Sequence, residues 1–191
     1  MSVRLRPQDR RSRSPLITYC GRQLGALLLA LTASVATAEP VPQDIASSLQ
    51  SASQRGSAQV RWLGIPIYSA RLFTPDARAF DWAKPFALEL TYDRGFSKDR
   101  LVYATGKELV RMEGDQTDHP AILTKLQKCY RDVSSSDRFV ALGAKQDEVQ
   151  FSLNGTRTCR LQHPDIRKRL LSIWVSENSR DPKLSRRLKG Q

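Results

Sequence analysis

Arg61, Tyr68, Tyr92, Arg100 and Tyr103 are the side chains whose types and spacing suit recognition of an organic acid. A guanidinium fork offers a carboxylate two parallel charge-assisted hydrogen bonds, and a phenol adds a neutral donor. The competing role is structural: an arginine stem covering apolar surface, or a tyrosine in the core. Other chemistry is thinner. His119 and His163 each precede a proline at the start of a helical pattern, which makes them cap or loop residues. A zinc site takes three or four converging ligands, and neither histidine has a cysteine or a pair of acids beside it in the chain. No G-x-S-x-G elbow and no glycine-rich phosphate loop occurs, so neither metal nor cofactor is expected.

These five residues can act together only if the elements carrying them converge. Ala58, Val60 and Trp62 alternate with polar neighbours, as do Tyr68, Ala70 and Leu72, and Phe86, Leu88, Leu90 and Tyr92. Such period-two patterns predict half-buried strands over Ala58–Leu63, Ile65–Phe73 and Phe86–Tyr92. Gly64 permits a turn or bulge, and Pro66, lacking an amide proton, marks an edge or a bulge. Ser97 can cap a helix whose inner face carries Leu101, Ala104, Thr105, Glu108, Leu109 and Met112, closed by Gly114. His119-Pro120 opens a second helix. Strands over Arg138–Leu142, Glu148–Leu153 and Thr156–Leu161 follow, with Asn154-Gly155 as a tight hairpin turn. That assignment also explains Asn154-Gly-Thr156 better than glycosylation does. A helix from His163-Pro164 and a short basic one over Pro182–Leu188 complete the chain. Strands, helices, strands and helices in that order predict an α+β fold, an antiparallel sheet with helices on one face.

The first 38 residues are set apart. A run of arginines precedes Leu24–Leu31, and Ala36-Thr-Ala38 offers a small-x-small cleavage site. That is the layout of a secretory signal peptide, and its apolar run falls short of the ~20 residues of a membrane span. Arg10-Arg11 lacks the apolar sequel of a twin-arginine signal, and Cys20 lies on the wrong side of the apolar run for a lipoprotein anchor. The organisation expected is a signal peptide over 1–38, a linker or N-terminal arm over 39–55 and a domain over 56–191. The protein would be periplasmic or secreted. Without the leader, 25 Lys and Arg face 18 Asp and Glu, so the formal charge drops from +12 to +7. The remaining excess suits an anionic ligand, an acidic membrane surface or solubility, and an exported chain meets little nucleic acid. Arg167-Lys-Arg169 and Arg186-Arg187-x-Lys189 read as solvated basic faces, with peripheral contact to anionic lipid as the functional alternative. Cys129 and Cys159 are an even pair on apolar faces, either bridged or two buried thiols.

Arg61-Trp-Leu-Gly-Ile-Pro-Ile-Tyr68-Ser-Ala70-x-Leu72, Phe86-Ala-Leu-Glu-Leu-Thr-Tyr92 and Phe96-Ser-Lys-Asp-Arg-Leu101 occur in that order. They are followed by Val149-Gln-Phe-x-x-Asn154-Gly155 and Leu170-x-x-Ile173-Trp174-Val175. In order and spacing the set resembles the chalcone isomerase-like family, in its bacterial exported branch, over about Ser57–Leu188. The resemblance implies an open-faced β-sandwich with a ligand cleft between sheet and helices. Plant members close a flavanone ring with an Arg and a Thr near the first two strands and a Tyr and an Asn on the next helix. Other members lack that activity and bind fatty acids through an Arg and a Tyr. Carried onto this chain, the Thr position falls on Gly64 and the helix pair on Phe96 and Tyr103. The Arg is met by Arg55 or Arg61 only with a gap. Without the hydroxyl that polarises the carbonyl, most of the oxyanion stabilisation is gone, so chalcone isomerase activity is not expected. The first expectation is a non-catalytic protein binding an amphipathic small molecule such as a fatty acid. The alternatives are an isomerase or lyase with a rearranged site, and an envelope interaction protein with a vestigial cleft.

Overall fold

The structure is a computed structural model that describes residues 39–76 and 78–191; the leader expected over 1–38 lies outside them. Among these residues six strands form one sheet: β1 (Ala52–Trp62), β2 (Ile65–Pro75), β3 (Phe86–Tyr92), β4 (Arg138–Lys145), β5 (Glu148–Leu153) and β6 (Thr156–Gln162). They pair antiparallel in chain order, β1-β2-β3-β4-β5-β6. The period-two pattern fixes which side each strand turns inward, because a one-residue slip would turn every apolar side chain outward. Ala70, Leu88 and Ala141 thus share a face with Phe151 and Leu161, and the main core forms on it.

Helices α2 (Lys98–Glu113), α3 (His119–Cys129), α4 (Ile166–Val175) and α5 (Pro182–Leu188) cover that face. The Arg100 amide donates to Ser97 Oγ at 3.4 Å, as the sequence leads one to expect of an N-cap. Gly114 ends α2 at φ 72°, where an L side chain is strained. The helix expected from His163 starts later, at Ile166, because Asp165 sits at φ 53°, outside helical backbone. Asn154 and Gly155 take φ 51° and 81°, the doubly left-handed turn that joins β5 to β6.

Residues 39–55 are more than a linker. Helix α1 (Gln43–Ala46) and the start of β1 lie there, and Ile45 and Leu49 are buried. They pack on the opposite face of the sheet in a second core with Phe73, Ala87, Val140 and Leu142. Asp44 takes a hydrogen bond from Arg138 at 2.8 Å and another from Ser152 at 3.1 Å. Arg138 also donates to Glu89 at 3.0 Å, and Arg71 donates to the same buried carboxylate at 2.7 Å. Two apolar side chains and this ionic relay dock the segment, which composition alone represented as Pro-, Ser- and Gln-rich.

At the β1 edge, Gly56 lies directly beneath the end of α5. A Cβ there would stand 2.1 Å from the Arg187 carbonyl oxygen and 2.6 Å from that of Leu188. Backbone on both sides cannot yield as a flexible side chain does. Gly56→Ala is therefore expected to cost about 2 kcal/mol, within the range for overpacking. Urea unfolding checks this, and an unchanged midpoint would remove α5 from the stabilised unit.

Candidate functional site

A cavity of about 250 Å³ lies between the sheet and the α2–α4 pair. Its floor is sheet core, including Leu88, Leu90 and Phe151, and its roof is the inner face of α2 with Leu170 and Trp174 of α4. The helical spacing of Leu101, Ala104, Thr105 and Glu108 puts all four along the roof. Tyr68 and Tyr92, directly paired across β2 and β3, stand side by side with ring centroids 5.8 Å apart.

The walls are apolar, and their few polar groups are neutral phenols and hydroxyls. Trp174 Nε1 donates to the Tyr68 hydroxyl at 2.9 Å. Thr105 Oγ1 donates back to the Leu101 carbonyl at 2.9 Å and lies 3.4 Å from the Tyr130 hydroxyl, which is left to donate to it. Burial pushes the Tyr68 phenol up to about 12, with the Trp174 bond acting the other way. Burial does the same for Tyr130, to about 12, against its bond with Thr105. Burial raises Tyr92 further still, helped by the neighbouring phenols of Tyr130 and Tyr68. All three therefore stay protonated and neutral at neutral pH.

Two charged residues also line the cavity. Arg100 lines it from the first turns of α2 and is exposed. Glu108 lines it further along. Burial works to raise the Glu108 carboxyl, but the bonds and charges of Arg111 and Arg180 outweigh that and hold it below the usual range. Arg111 reaches it at 2.8 Å, and Arg180 also bonds it. Its charge is thereby answered within the protein, whereas the Arg100 guanidinium has no side-chain partner among the described residues.

Tyr68, Tyr92 and Arg100, expected from sequence, line the cavity; Arg61 and Tyr103 do not. Arg61 sits on the exposed β1–β2 hairpin and donates to the Gly64 carbonyl at 3.2 Å and to Gln59 at 2.8 Å, bracing the turn. Tyr103 is 66% exposed, on the outer face of α2, with Lys107 over its ring at 5.5 Å. Its position one residue before Ala104 turns it about 100° away from the inward face. Gly64, which the resemblance sets at the catalytic hydroxyl position, lies at the hairpin tip with open space around it. Thr105, Glu108, Tyr130 and Trp174 were not foreseen as site residues. Thr105 and Glu108 carried a signal, as polar residues on an otherwise apolar helix face, and a half-buried Trp needs a partner for its N–H.

The basic clusters are largely spent inside the protein. Arg167 is buried and donates to the carbonyls of Trp82 at 2.6 Å and Lys84 at 3.4 Å. Arg169 is forked between Glu113 and Asp118, and Arg186 and Lys189 both pair with Glu177. Only Lys168 and Arg187 of the two runs face solvent without such a partner among the described residues. His119 and His163 join the same network, bonding Glu113 at 2.8 Å and Asp118 at 2.7 Å. Among the described residues no three such groups gather to hold a metal ion. Cys129 and Cys159, left open by the sequence, are bridged, with Cα atoms 5.0 Å apart.

The chain matches no protein family and no curated protein by sequence. It does match solved structures. One is the fatty-acid binding protein AtFAP1 of Arabidopsis thaliana, with a TM-score of 0.55 at 9% identity over 74% of this chain and 88% of that one. The fold is therefore the α+β, open-faced arrangement of the chalcone isomerase-like proteins: a six-stranded antiparallel sheet under a helical layer.

Proposed function

We propose that this chain is a non-catalytic lipid carrier of the cell envelope, from the bacterial exported branch of the chalcone isomerase-like proteins. It holds an amphipathic acid such as a fatty acid in the cavity between the sheet and the α2–α4 pair. The observation that carries this reading is an apolar cavity lined by Arg100, which has no side-chain partner among the described residues, and by a single acid, Glu108, already paired with Arg111 and Arg180. A carboxylate buried among the tyrosines would need a cation there, so the acid group belongs at Arg100 and the chain inside. At about 30 Å³ per group, the share of a water molecule in the liquid, the cavity takes roughly eight methylene groups. Longer chains would protrude past the rim. The name of AtFAP1 supports the ligand class. The leader-like first 38 residues and the Cys129–Cys159 bridge support export, since bridges persist in oxidising compartments. Phenols with pKa values near 12 stand far from the operating pH that acid–base catalysis favours, which supports the non-catalytic reading.

Ala104→Trp tests the site, because it plugs the rim from an exposed helix position where folding tolerates a large side chain. Affinity for octanoate and decanoate, measured by calorimetry, should fall at least tenfold. Arg100→Gln should cost about 1.5–3 kcal/mol of binding, the range for a hydrogen bond to a charged group. Unaltered affinity in Ala104→Trp would end the proposal. Native mass spectrometry of protein from its own host should show a lipid-sized adduct.

A further inference from the structure

Two hairpins of this protein use the same backbone turn with opposite chemistry. Asn154-Gly155 turns at φ 51° and 81°, and Leu63-Gly64 turns at φ 49° and 78°. Asparagine and glycine enter that left-handed region readily; leucine does so at a cost. The costly residue is also displayed. Leu63 is 81% exposed, Trp62 67% and Ile65 38%, so three large apolar side chains crowd one tip in water. The core does not account for them, since Trp62 and Leu63 stand largely in water and a Cβ on Gly64 would meet nothing within 4 Å among the described residues.

The surroundings of the tip say what covers it. Tyr68 pairs with Tyr92, and the Asp93 amide donates to the Ile67 carbonyl at 2.9 Å, so β3 ends where β2 begins. The connection from β3 to α2 therefore lies at the same end of the sheet as the hairpin. It brings Arg94, Lys98 and Arg100 there beside Arg61 of the hairpin itself. Asp93, Asp99 and Asp132, the last bonded to the Lys98 amide at 2.7 Å, stand against these four cations, so the excess is positive by one charge. The cavity reaches this end too: Ile67, Tyr68 and Arg100 line it, and Arg100 is exposed. An apolar tip with tryptophan at its base and a basic collar suits a bilayer interface, where Trp lies at headgroup depth and cations meet anionic lipid. Among the described residues no helix is long and apolar enough to cross a membrane, so the contact would be peripheral.

We propose that the Trp62–Ile65 hairpin tip inserts into an anionic lipid surface and sets the cavity mouth against it, so that an acyl chain passes between bilayer and cavity without crossing water. This docking role rests on the lipid-carrier reading for its purpose, but not for its test. The basic runs near the C-terminus, engaged in internal pairs, take no part in it.

The test uses the full chain with vesicles of phosphatidylcholine and phosphatidylglycerol, some carrying brominated acyl chains. The chain has three tryptophans, Trp62, Trp82 and Trp174, and Trp82 and Trp174 are half-buried in the fold. Brominated lipid should quench wild-type emission and leave Trp62→Phe emission nearly unchanged. Leu63→Asn restores the polar turn already used at Asn154-Gly155, so it should fold at least as well while losing tenfold or more in vesicle affinity by the Trp62 signal. Equal quenching of wild type and Trp62→Phe would overturn the proposal, as would undiminished quenching in Leu63→Asn. Decanoate affinity in solution separates the two readings. Leu63→Asn should retain it, and its loss would make the tip part of the ligand site and overturn docking. Vesicle insertion by a wild-type protein that binds no fatty acid would uphold docking and end the carrier reading. If the tip meets a protein surface instead, vesicles without that protein leave Trp62 unquenched.

Discussion

Removing the bridge by Cys129→Ala with Cys159→Ala should lower the folding free energy by about 3–4 kcal/mol, the chain-entropy value for a closed loop of this length. The two cysteines are 30 residues apart, and the loop between them contains β4, β5 and the tight hairpin. The bridge joins the last residue of α3 to β6, the edge strand of the sheet. Reduced or substituted, the unfolded chain regains the freedom that the loop withheld, and α3 loses its covalent hold on that edge. Cys129 is 2% exposed, so alanine there also leaves a small void. Urea unfolding of wild type with and without dithiothreitol, beside the double variant, is the measurement. Reductant should bring wild type to the midpoint of the variant and leave the variant unmoved. A wild-type midpoint indifferent to reductant would mean that the thiols are not bonded in solution.

The second large effect is expected at Arg169. Its guanidinium donates to both oxygens of Glu113, at 2.9–3.1 Å, and to both oxygens of Asp118, at 2.6 and 2.9 Å. It ties the end of α2, the start of α3 and the middle of α4 into one layer, and the cavity roof depends on that layer. Arg169→Ala leaves Glu113 partly buried with only His119 to answer it. The expected loss is about 2–3 kcal/mol, below the 3–5 kcal/mol typical of breaking a fully buried pair, because solvent still reaches the acids.

The pH dependence distinguishes this from simple loss of packing. Burial tends to raise the Glu113 carboxyl, but Arg169 and His119 outweigh it and hold it below its usual range. Arg169 and His163 hold the Asp118 carboxyl far below its own. A carboxylate depressed in the fold binds fewer protons there than in the unfolded chain, so its contribution is complete above the unfolded pKa, about 4. It is lost as pH falls through the folded value. The gap between wild type and Arg169→Ala should therefore be constant above about pH 5 and shrink below about pH 4. A gap that stays constant down to pH 2.5 would assign the effect to packing alone.

The same residues mark where local reading succeeds. Turn chemistry, caps and periodicity act within a few residues, so Ser97, Gly114 and Asn154-Gly155 could be read directly, as could the apolar side of β3. The face of α2 bearing Leu101, Ala104 and Thr105 followed from helical spacing alone. The bridge, the arm and the basic runs were different. Whether Cys129 meets Cys159 depends on α3 crossing β6, and no local pattern encodes that crossing. Ile45, Leu49 and Ala52 are spaced for one short helix in the linker or arm, but nothing nearby shows that the second face of the sheet is short of cover. Arg167 and Arg169 looked solvated because their partners, from Trp82 to Asp118, lie 51 or more residues away in sequence.

Thus the sequence by itself determined the elements, their order and the apolar side of each. It also supplied the Arg and Tyr residues from which a site for an acid could be built. The tertiary structure decided which of them share a cavity. Tyr68, Tyr92 and Arg100 converge because β2 and β3 pair in register and α2 folds back over them. Arg61 and Tyr103 are excluded by the projection of a hairpin tip and a rotation of about 100° on a helix. Local forces choose the conformation of a segment, whereas a cavity is the space left between segments brought together by long-range packing.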